Sequence, residues 1–171
     1  SVFNDSLFLS SKKLSKEQLF GRMLPNTYDV YWTLSSEQTI ERVLSEFESR
    51  VIGPYKNRVD SLDYSIDDII AMASIVEWEA NIEDEKPIVA GLYWNRLKRR
   101  MHLQADPTIS FAVGERRRLL LADYKVEHPF NTYIYLGLPP GPVTNPSLQT
   151  IRATLYPDDH QFLYMVANPE G

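Results

Sequence analysis

Residues 65–80 read SIDDIIAMASIVEWEA and contain the longest apolar run of the chain. Ser65 followed three residues later by Asp68 is an N-terminal capping pattern, so this stretch predicts a helix over residues 66–80. On a helical wheel of about 100° per residue, one stripe of this helix is apolar. The stripe consists of Ile66, Ile69, Ile70, Ala73 and Ala80. We expect this stripe to pack into the core and to organise the fold around it.

Two glutamates near the end of this helix point in different directions. Glu77 falls in the middle of the apolar stripe, whereas Glu79 falls on the opposite side together with Asp68. We therefore expect Glu77 to face the core or a cleft, and Glu79 to be a solvated surface residue. Burial raises the pKa of a carboxyl group, which suits a general acid at neutral pH. The alternative for Glu77 is a buried ion pair with an arginine such as Arg96 or Arg152.

The composition excludes several classes of chemistry. The 171 residues carry 18 Lys and Arg against 23 Asp and Glu, and the formal net charge of −5 argues against general binding to nucleic-acid backbones. Because there is no cysteine, disulfides, thiol nucleophiles and cysteine metal sites are excluded. The 3 histidines are too scattered to suggest a metal site. The chemistry that remains uses carboxylates, hydroxyls, amides and aromatic rings.

The rest of the chain predicts an α+β fold of mixed helices and short strands. Further helices are expected where apolar residues recur with helical spacing: residues 16–24, about 36–51, about 87–100 and 146–156. Gly53-Pro54 is expected to end the second of these. A domain boundary is expected in the polar stretch 55–64.

Strands are expected in two stretches rich in aromatic and β-branched residues, 28–33 and 162–167. Residues 1–14 suggest a short strand or an arm, and residues 101–113 look extended. The segment from 114 to 146 is rich in loops.

Two polar motifs suit the recognition of sugars. Gln104, Asp106 and Thr108 group an amide, a carboxylate and a hydroxyl around a proline-fixed turn. Asn131 and Tyr133 add an amide and an aromatic ring. Each motif has a structural alternative, which is a self-capping loop for the first and a strand start with an Asn turn for the second.

Two other features allow two interpretations each. The stiff segment 137–142, Gly-Leu-Pro-Pro-Gly-Pro, is either a cleft wall or a rigid connector. The basic clusters at residues 96–100 and 116–118 are either solvated faces or contacts for a polyanion or a membrane surface.

Several segments, taken in order, resemble one protein family. They are residues 73–79, 91–97, 104–108, 130–133, 137–142, 145–146 and 162–168. Together they are similar to the YceG-like family of endolytic murein transglycosylases. The resemblance is strong over about residues 66–171 and weaker over residues 19–50, where Leu-Pro-Asn-Thr-Tyr at 24–28 resembles the segment before the catalytic part.

The resemblance implies a bacterial envelope enzyme that cuts peptidoglycan glycan strands internally. It implies a YceG-like catalytic domain over residues 61–171, truncated at its C-terminal end, after a partial N-terminal segment in residues 1–60. It also implies that the full-length protein is anchored in the inner membrane by a helix outside these residues. The catalytic domain would face the cell wall on the extracytoplasmic side, with cell-wall synthases as possible partners and no nucleic acid.

The resemblance further implies a lytic transglycosylase that cleaves the MurNAc–GlcNAc bond and leaves 1,6-anhydro-MurNAc ends. The first glutamate of the pair, Glu77, corresponds to the catalytic residue of the family and would act alone as acid and base, with no metal or organic cofactor. The expected substrate-positioning residues are Gln104, Asp106, Thr108, Asn131 and Tyr133.

Three other interpretations stay open from the sequence. The chain is alternatively a non-catalytic peptidoglycan-binding or scaffold module of the cell-wall synthesis machinery. It is alternatively an interaction domain whose Glu77 lies in a buried ion pair. A lysozyme-like hydrolase would differ from a lytic transglycosylase by producing reducing ends.

Overall fold

The computed structural model describes residues 6–115 and 117–165. Within these ranges the regular elements are helices and no strand occurs. The α-helices are α1 (Ser6–Lys12), α2 (Lys16–Gly21), α3 (Ser36–Phe47), α4 (Gly53–Asp60), α5 (Ile66–Glu79), α6 (Lys86–Lys98), α7 (Asp106–Val113) and α8 (Leu148–Leu155). A π-helical turn, Glu48–Ile52, joins α3 to α4, and 3-10 turns lie at Glu83–Glu85 and Asp123–Lys125. None of the helices described here has the length and apolar character needed to cross a membrane.

Helix α5 lies at the centre of the fold. It begins with the predicted capping box, in which the Asp68 amide donates to Ser65 Oγ at 3.2 Å and the Ser65 amide donates to Asp68 Oδ2 at 2.9 Å. Helices α2, α6, α7 and α8 all contact α5, and every residue from 69 to 76 is buried. The predicted helix and the burial of its apolar stripe are therefore confirmed. The opposite side of the helix is buried as well over residues 69–76, so this part of α5 has no solvent face.

The main core joins residues from both sides of the predicted domain boundary. Leu24, Phe47 and Val51 lie in the same buried cluster as Ile69 and Tyr93. A smaller cluster of Phe8, Leu19 and Ile40 lies beside it. The division of the chain at residue 60 stays a prediction.

The predicted helix end at Gly53-Pro54 is wrong. The chain continues through the π-helical turn into α4, and Pro54 lies in the first turn of that helix. Proline is tolerated there because the first amides of a helix have no partner within the helix. The predicted start of α3 is confirmed, since Ser35 accepts a hydrogen bond from the Gln38 amide at 3.2 Å.

The strand predicted at residues 28–33 is wrong. This segment is irregular, and Tyr31 and Trp32 are 81% and 102% exposed. Tyr28 donates its hydroxyl to the Leu24 carbonyl at 2.7 Å, which holds the segment against the end of α2. Strand propensity depends on a pleated partner surface, and the described residues offer none to this segment.

The strand predicted at residues 162–167 is also wrong over residues 162–165, the part of it that the structure describes. Residues 162–165 are irregular, and Phe162 is 59% exposed, while residues 166 and 167 lie outside the described ranges. Side chains of α6 bind this backbone in place of a neighbouring strand. Arg96 Nε donates to the Leu163 carbonyl at 2.6 Å, and Asn95 Nδ2 donates to the Phe162 carbonyl at 3.3 Å.

The extended structure expected over residues 101–113 is wrong in its second half. Residues 106–113 form α7, which has Pro107 in its first turn and ends at Gly114, where φ is +75°. A proline inside the start and a glycine just past the end together indicate a helix, and the expectation of an extended segment overlooked this signal. Near the N-terminus, residues 6–12 are helical, and residues 1–5 lie outside the described ranges.

Candidate active site

An open groove lies between the C-terminal end of α5 and the segment that follows α7. One part, of about 710 Å³, is lined by Glu77, Trp78, Asn81 and Thr144. The other part, of about 760 Å³, is lined by Asp106, Tyr124 and residues 119–121. Ser110, Arg117 and Arg118 line both parts, so the two form one groove. This groove therefore exposes two of the carboxylates that the sequence singles out.

A separate cleft of about 480 Å³ lies at the other end of α5. Its walls include Asp67, Asp68 and residues 138–142, so the proline-rich segment does form a cleft wall. Glu77 lies about ten residues further along α5, which corresponds to about 15 Å at the helical rise. The proline-rich segment is therefore not a wall of the groove that contains Glu77.

Glu77 is held by the N-terminal end of α8 and by Lys86. Its Oε2 atom accepts hydrogen bonds from the Ser147 amide at 3.1 Å, from Ser147 Oγ at 2.9 Å and from the Thr150 hydroxyl. Lys86 Nζ lies 3.5 Å from the same oxygen, and the side chains of Lys86 and Glu77 are 9% and 26% exposed. The expected ion pair of Glu77 thus exists, but its partner is a lysine of α6 rather than an arginine.

The pKa of Glu77 is lowered, in contrast to the raised value expected from burial alone. Burial by itself raises this pKa, but the hydrogen bonds from Thr150 and Ser147 and the charge of Lys86 together hold it below its ordinary value. Glu77 is consequently a carboxylate at neutral pH in the unliganded protein.

The expectation that Glu79 is a solvated surface residue is wrong. Its side chain is partly buried between α5 and α6, where Tyr93 donates its hydroxyl to Glu79 Oε1 at 3.3 Å. Burial, and then the nearby Asp106 carboxylate, raise the pKa of Glu79 above its ordinary value. The helical wheel gave a wrong prediction for Glu79 because the side of α5 opposite the apolar stripe also packs against other helices.

Asp106 connects Glu79 to the groove. Tyr133 donates its hydroxyl to Asp106 Oδ1 at 2.6 Å, and Tyr124 donates to Oδ2 at 3.3 Å. The rings of the two tyrosines meet edge to face with centroids 4.7 Å apart. Burial and the Asp106 carboxylate raise the pKa of the Tyr133 hydroxyl, so it stays a proton donor at neutral pH. Two carboxylates with opposite pKa shifts, Glu77 and Glu79, thus lie at the end of one helix.

The sequence profile of the YceG-like family matches residues 3–171. The chain belongs to the YceG-like family. The resemblance inferred from motifs in the second half of this YceG-like chain is thereby confirmed and extends over nearly all of it.

Named relatives and a solved structure support this membership. The chain is 32% identical over 157 residues to the endolytic murein transglycosylase of Bacillus subtilis (strain 168), covering 91% of this chain and 44% of that protein. It is 30% identical over 160 residues to the endolytic murein transglycosylase of Streptococcus pneumoniae serotype 2, covering 90% and 29%. The chain therefore spans less than half the length of these relatives. A crystal structure of a YceG-like protein from Listeria monocytogenes matches with a TM-score of 0.86 at 33% identity, covering 98% of this chain and 60% of that one.

The other residues predicted to position substrate are either exposed or fully buried in this YceG-like fold. Gln104 is exposed, with a left-handed φ of +52°. Thr108 and Asn131 are fully buried and bind protein atoms. The Thr108 hydroxyl donates to the Ala105 carbonyl at 2.6 Å, and Asn131 Nδ2 donates to the Val126 carbonyl at 2.8 Å. Asn131 Oδ1 also accepts from the Tyr133 amide at 2.9 Å, so Asn131 holds the segment that presents Tyr133. Direct contact of Thr108 or Asn131 with substrate stays a prediction.

Several residues of the site escaped the sequence interpretation. Lys86, Ser147 and Thr150 surround Glu77, and Tyr93 binds Glu79. Ser147 is the N-cap of α8, whereas the sequence predicts that this helix begins earlier, at residue 146. Serine is one of the preferred N-cap residues, which accounts for the local geometry of Ser147 but not for its carboxylate partner.

Among the residues that the structure describes, no group of three or more His, Asp or Glu side chains is placed to hold a metal ion. The site offers carboxylates, hydroxyls, Lys86 and the groove-lining Arg117 and Arg118 for chemistry. Its carboxyl groups suit general acid–base catalysis.

Proposed function

We propose that this chain carries the catalytic site of an endolytic peptidoglycan lytic transglycosylase. The relatives named above support the reaction, and the open groove supports an extended polymer as substrate. The observation that carries the proposal is the pair of carboxyl groups, Glu77 and Glu79, whose pKa values are shifted in opposite directions. Opposite shifts of this kind distinguish a carboxyl group that can hold a proton for donation from an ionised neighbour.

The reaction needs one carboxyl group that first gives and then takes a proton. The protonated carboxyl donates to the oxygen between MurNAc and GlcNAc, and the bond from this oxygen to C1 of MurNAc breaks. The carboxylate then takes the proton of the C6 hydroxyl of MurNAc, whose oxygen bonds to C1. The products are a 1,6-anhydro-MurNAc end and a free GlcNAc hydroxyl, and the carboxyl group is protonated again.

Two glutamates are candidates for this role, each on its own observation. Glu79 fits the initial proton donor, because burial and Asp106 raise its pKa. Glu77 is the candidate from the sequence and lines the groove directly, but its hydrogen bonds favour the ionised form. Since proton donation is the first chemical event, we favour Glu79 as the acid and keep Glu77 as the second candidate.

The neighbours of Glu79 suit the binding of sugar hydroxyls. Asp106 accepts hydrogen bonds from two tyrosines and lines the groove, so its oxygens are already oriented. Tyr133 offers a ring face as well as a hydroxyl. Gln104 lies exposed two residues away from Asp106, and we propose that these three residues position a sugar ring, with Thr108 and Asn131 holding the segments that carry them.

The family also suggests where the full-length protein works. We propose that it is anchored in the bacterial inner membrane by a segment outside these 171 residues and that the catalytic domain lies on the extracytoplasmic side. The proposed macromolecular substrate is the peptidoglycan glycan strand, and cell-wall synthases are the proposed protein partners. Detection of the full-length protein in membrane fractions, with protease access to this domain only from outside the cytoplasm, tests the topology.

The catalytic assignment is tested by digesting purified murein with the full-length protein and analysing the products by mass spectrometry. Glu79→Gln is expected to fold and to bind glycan but to release no anhydro-ended fragments. Glu77→Gln tests the second candidate, and Glu83→Gln, at an exposed acid of the following turn, is the matched control and should retain activity.

The outcomes separate the alternatives clearly. Full activity of Glu79→Gln together with loss of activity in Glu77→Gln would make Glu77 the catalytic residue. Reducing ends in place of anhydro ends would identify a hydrolase. Glycan binding by wild type without any product would favour the non-catalytic scaffold module.

A further inference from the structure

The segment after α7 is folded around a carboxylate. Arg117 binds Asp123 through two hydrogen bonds, Nη1 to Oδ2 at 2.6 Å and Nη2 to Oδ1 at 2.9 Å. The Leu120 amide donates to Asp123 Oδ2 at 2.7 Å, and Glu115 accepts from Arg117 Nε at 2.6 Å. Two acids therefore neutralise Arg117, which closes the loop formed by residues 117–123.

Arg118 follows directly and differs from Arg117 in its partners. Its side chain is exposed and lines both parts of the groove, between Glu77 on one side and Asp106 on the other. Within residues 6–115 and 117–165, no carboxylate forms an ion pair with Arg118. The loop thus holds a guanidinium group in the groove with its donors available.

An exposed guanidinium group in a substrate groove is suited to a carboxylate. Arginine presents several N–H donors in one plane and binds carboxylates in a bidentate manner. The sugar rings of peptidoglycan carry neutral hydroxyl and acetamido groups, and the lactyl carboxyl of MurNAc is an amide wherever a peptide stem is attached to it. The peptide stem on the lactyl group of MurNAc does have free carboxylates, and it branches from the sugar whose C1 reacts.

The surface beside Arg118 suits the rest of such a stem. Leu120 and Leu121 are 60% and 87% exposed on the same loop, and both line the groove. Alanine residues of the stem carry methyl groups that contact apolar side chains favourably. Charge and apolar surface are thus adjacent on one loop.

We propose that Arg118 binds a carboxylate of the peptide stem and makes strands that carry stems better substrates than strands without them. This inference rests on the proposed function, since it assigns a specificity to the same groove. Arg118 is a specificity-determining residue in this proposal and takes no part in proton transfer.

The test compares two substrates in the full-length protein. One is murein with intact stems. The other is the same murein after an amidase has removed the stems and the lactyl carboxylates that this exposes have been converted to neutral amides. The variants are Arg118→Gln, Arg118→Lys and, as a matched control, Arg152→Gln, which removes an exposed arginine of α8 that does not line the groove.

Wild type is expected to have a higher kcat/KM on stem-bearing strands. Arg118→Gln should reduce this preference by about two- to fivefold, which is typical for the loss of a solvent-exposed ion pair. Arg118→Lys should restore part of the preference, because the charge remains without the bidentate geometry. Arg152→Gln should retain the wild-type preference. An equal loss on both substrates, or no change in preference, would overturn the proposal.

A binding measurement separates this proposal from the proposed function. Fluorescence anisotropy with a labelled muropeptide that carries its stem, and with the same sugar whose lactyl carboxyl is a simple neutral amide, reports recognition without catalysis. If wild type produces no anhydro ends but Arg118→Gln weakens binding of the stem-bearing probe alone, the reaction is refuted and the recognition is supported. Equal binding of that probe by wild type and Arg118→Gln refutes the recognition, with or without activity.

Discussion

Thr150→Val tests how strongly the N-terminal end of α8 stabilises the Glu77 carboxylate. Valine has the shape of threonine without the hydroxyl, and Thr150 is fully buried, so the change removes one of three hydrogen bonds to Glu77 Oε2 with little change in packing. A hydrogen bond to a charged group contributes about 1.5–3 kcal/mol. Since both donors of Ser147 remain, we expect the lower end, a loss of about 1.5 kcal/mol in the free energy of unfolding.

The assay is urea unfolding followed by far-ultraviolet circular dichroism at neutral pH. The same substitution in a Glu77→Gln background should cost much less, because the charged acceptor is then absent. The difference between the two costs is the coupling energy of the pair. Ser49→Ala, at an exposed serine of the π-helical turn, serves as a control for the loss of a hydroxyl and should leave this coupling unchanged.

The pH dependence gives an independent check with a defined sign. The folded state lowers the pKa of Glu77 from its ordinary value of 4.5, so its stabilising effect is present above that pH and is lost as the pH falls through the lowered value. The cost of Thr150→Val should therefore be full at neutral pH and should shrink in acid. This account of the site would be refuted if Thr150→Val cost the same in the presence of Glu77 and in the Glu77→Gln background. A cost of Thr150→Val that grows in acid would also refute it.

Two further predictions concern the acid and the central helix. Asp106→Asn removes the charge that is, after burial, the second cause of the raised pKa of Glu79, so the fall of kcat/KM at alkaline pH should move to lower pH. If the fall does not move, Asp106 does not act on the catalytic acid. Asp159→Asn, at an exposed acid beyond α8, is the control. Ser65→Ala removes the N-cap of α5 and should lower the free energy of unfolding in urea by about 1 kcal/mol. Ser61→Ala, four residues earlier in the chain, should cost less. Equal costs would contradict a role for the capping box.

The sequence predicted helices well where local signals agree. The capping pair at Ser65 and the apolar spacing that predicts α3 and α5 act within a few residues, so the starts of these two helices were confirmed. The strands at 28–33 and 162–165 were wrong because a strand needs a partner, and partners are decided by distant parts of the chain. Helix α7 was missed although Pro107 and Gly114 mark both its ends.

The candidate site was predicted in part. The sequence brought attention to Asp106 and Tyr133, and the structure joins them by a hydrogen bond of 2.6 Å across 27 residues of chain. The sequence did not predict that Lys86 and Thr150 hold Glu77, since these contacts join three different helices. The assignment of Glu77 as the catalytic residue stays a prediction.

By itself, the sequence determined that residues 66–79 form a helix, that two glutamates stand at its end about 200° apart, and which family the chain resembles. Only the tertiary structure decided what each glutamate faces. Glu77 meets the N-terminal end of α8 and a lysine, which favour its charge. Burial and the Asp106 carboxylate oppose the charge of Glu79, and they outweigh the hydrogen bond from Tyr93, which favours it. The physical reason is that a pKa depends on burial and on neighbouring charges, and these are supplied by helices far away in the sequence.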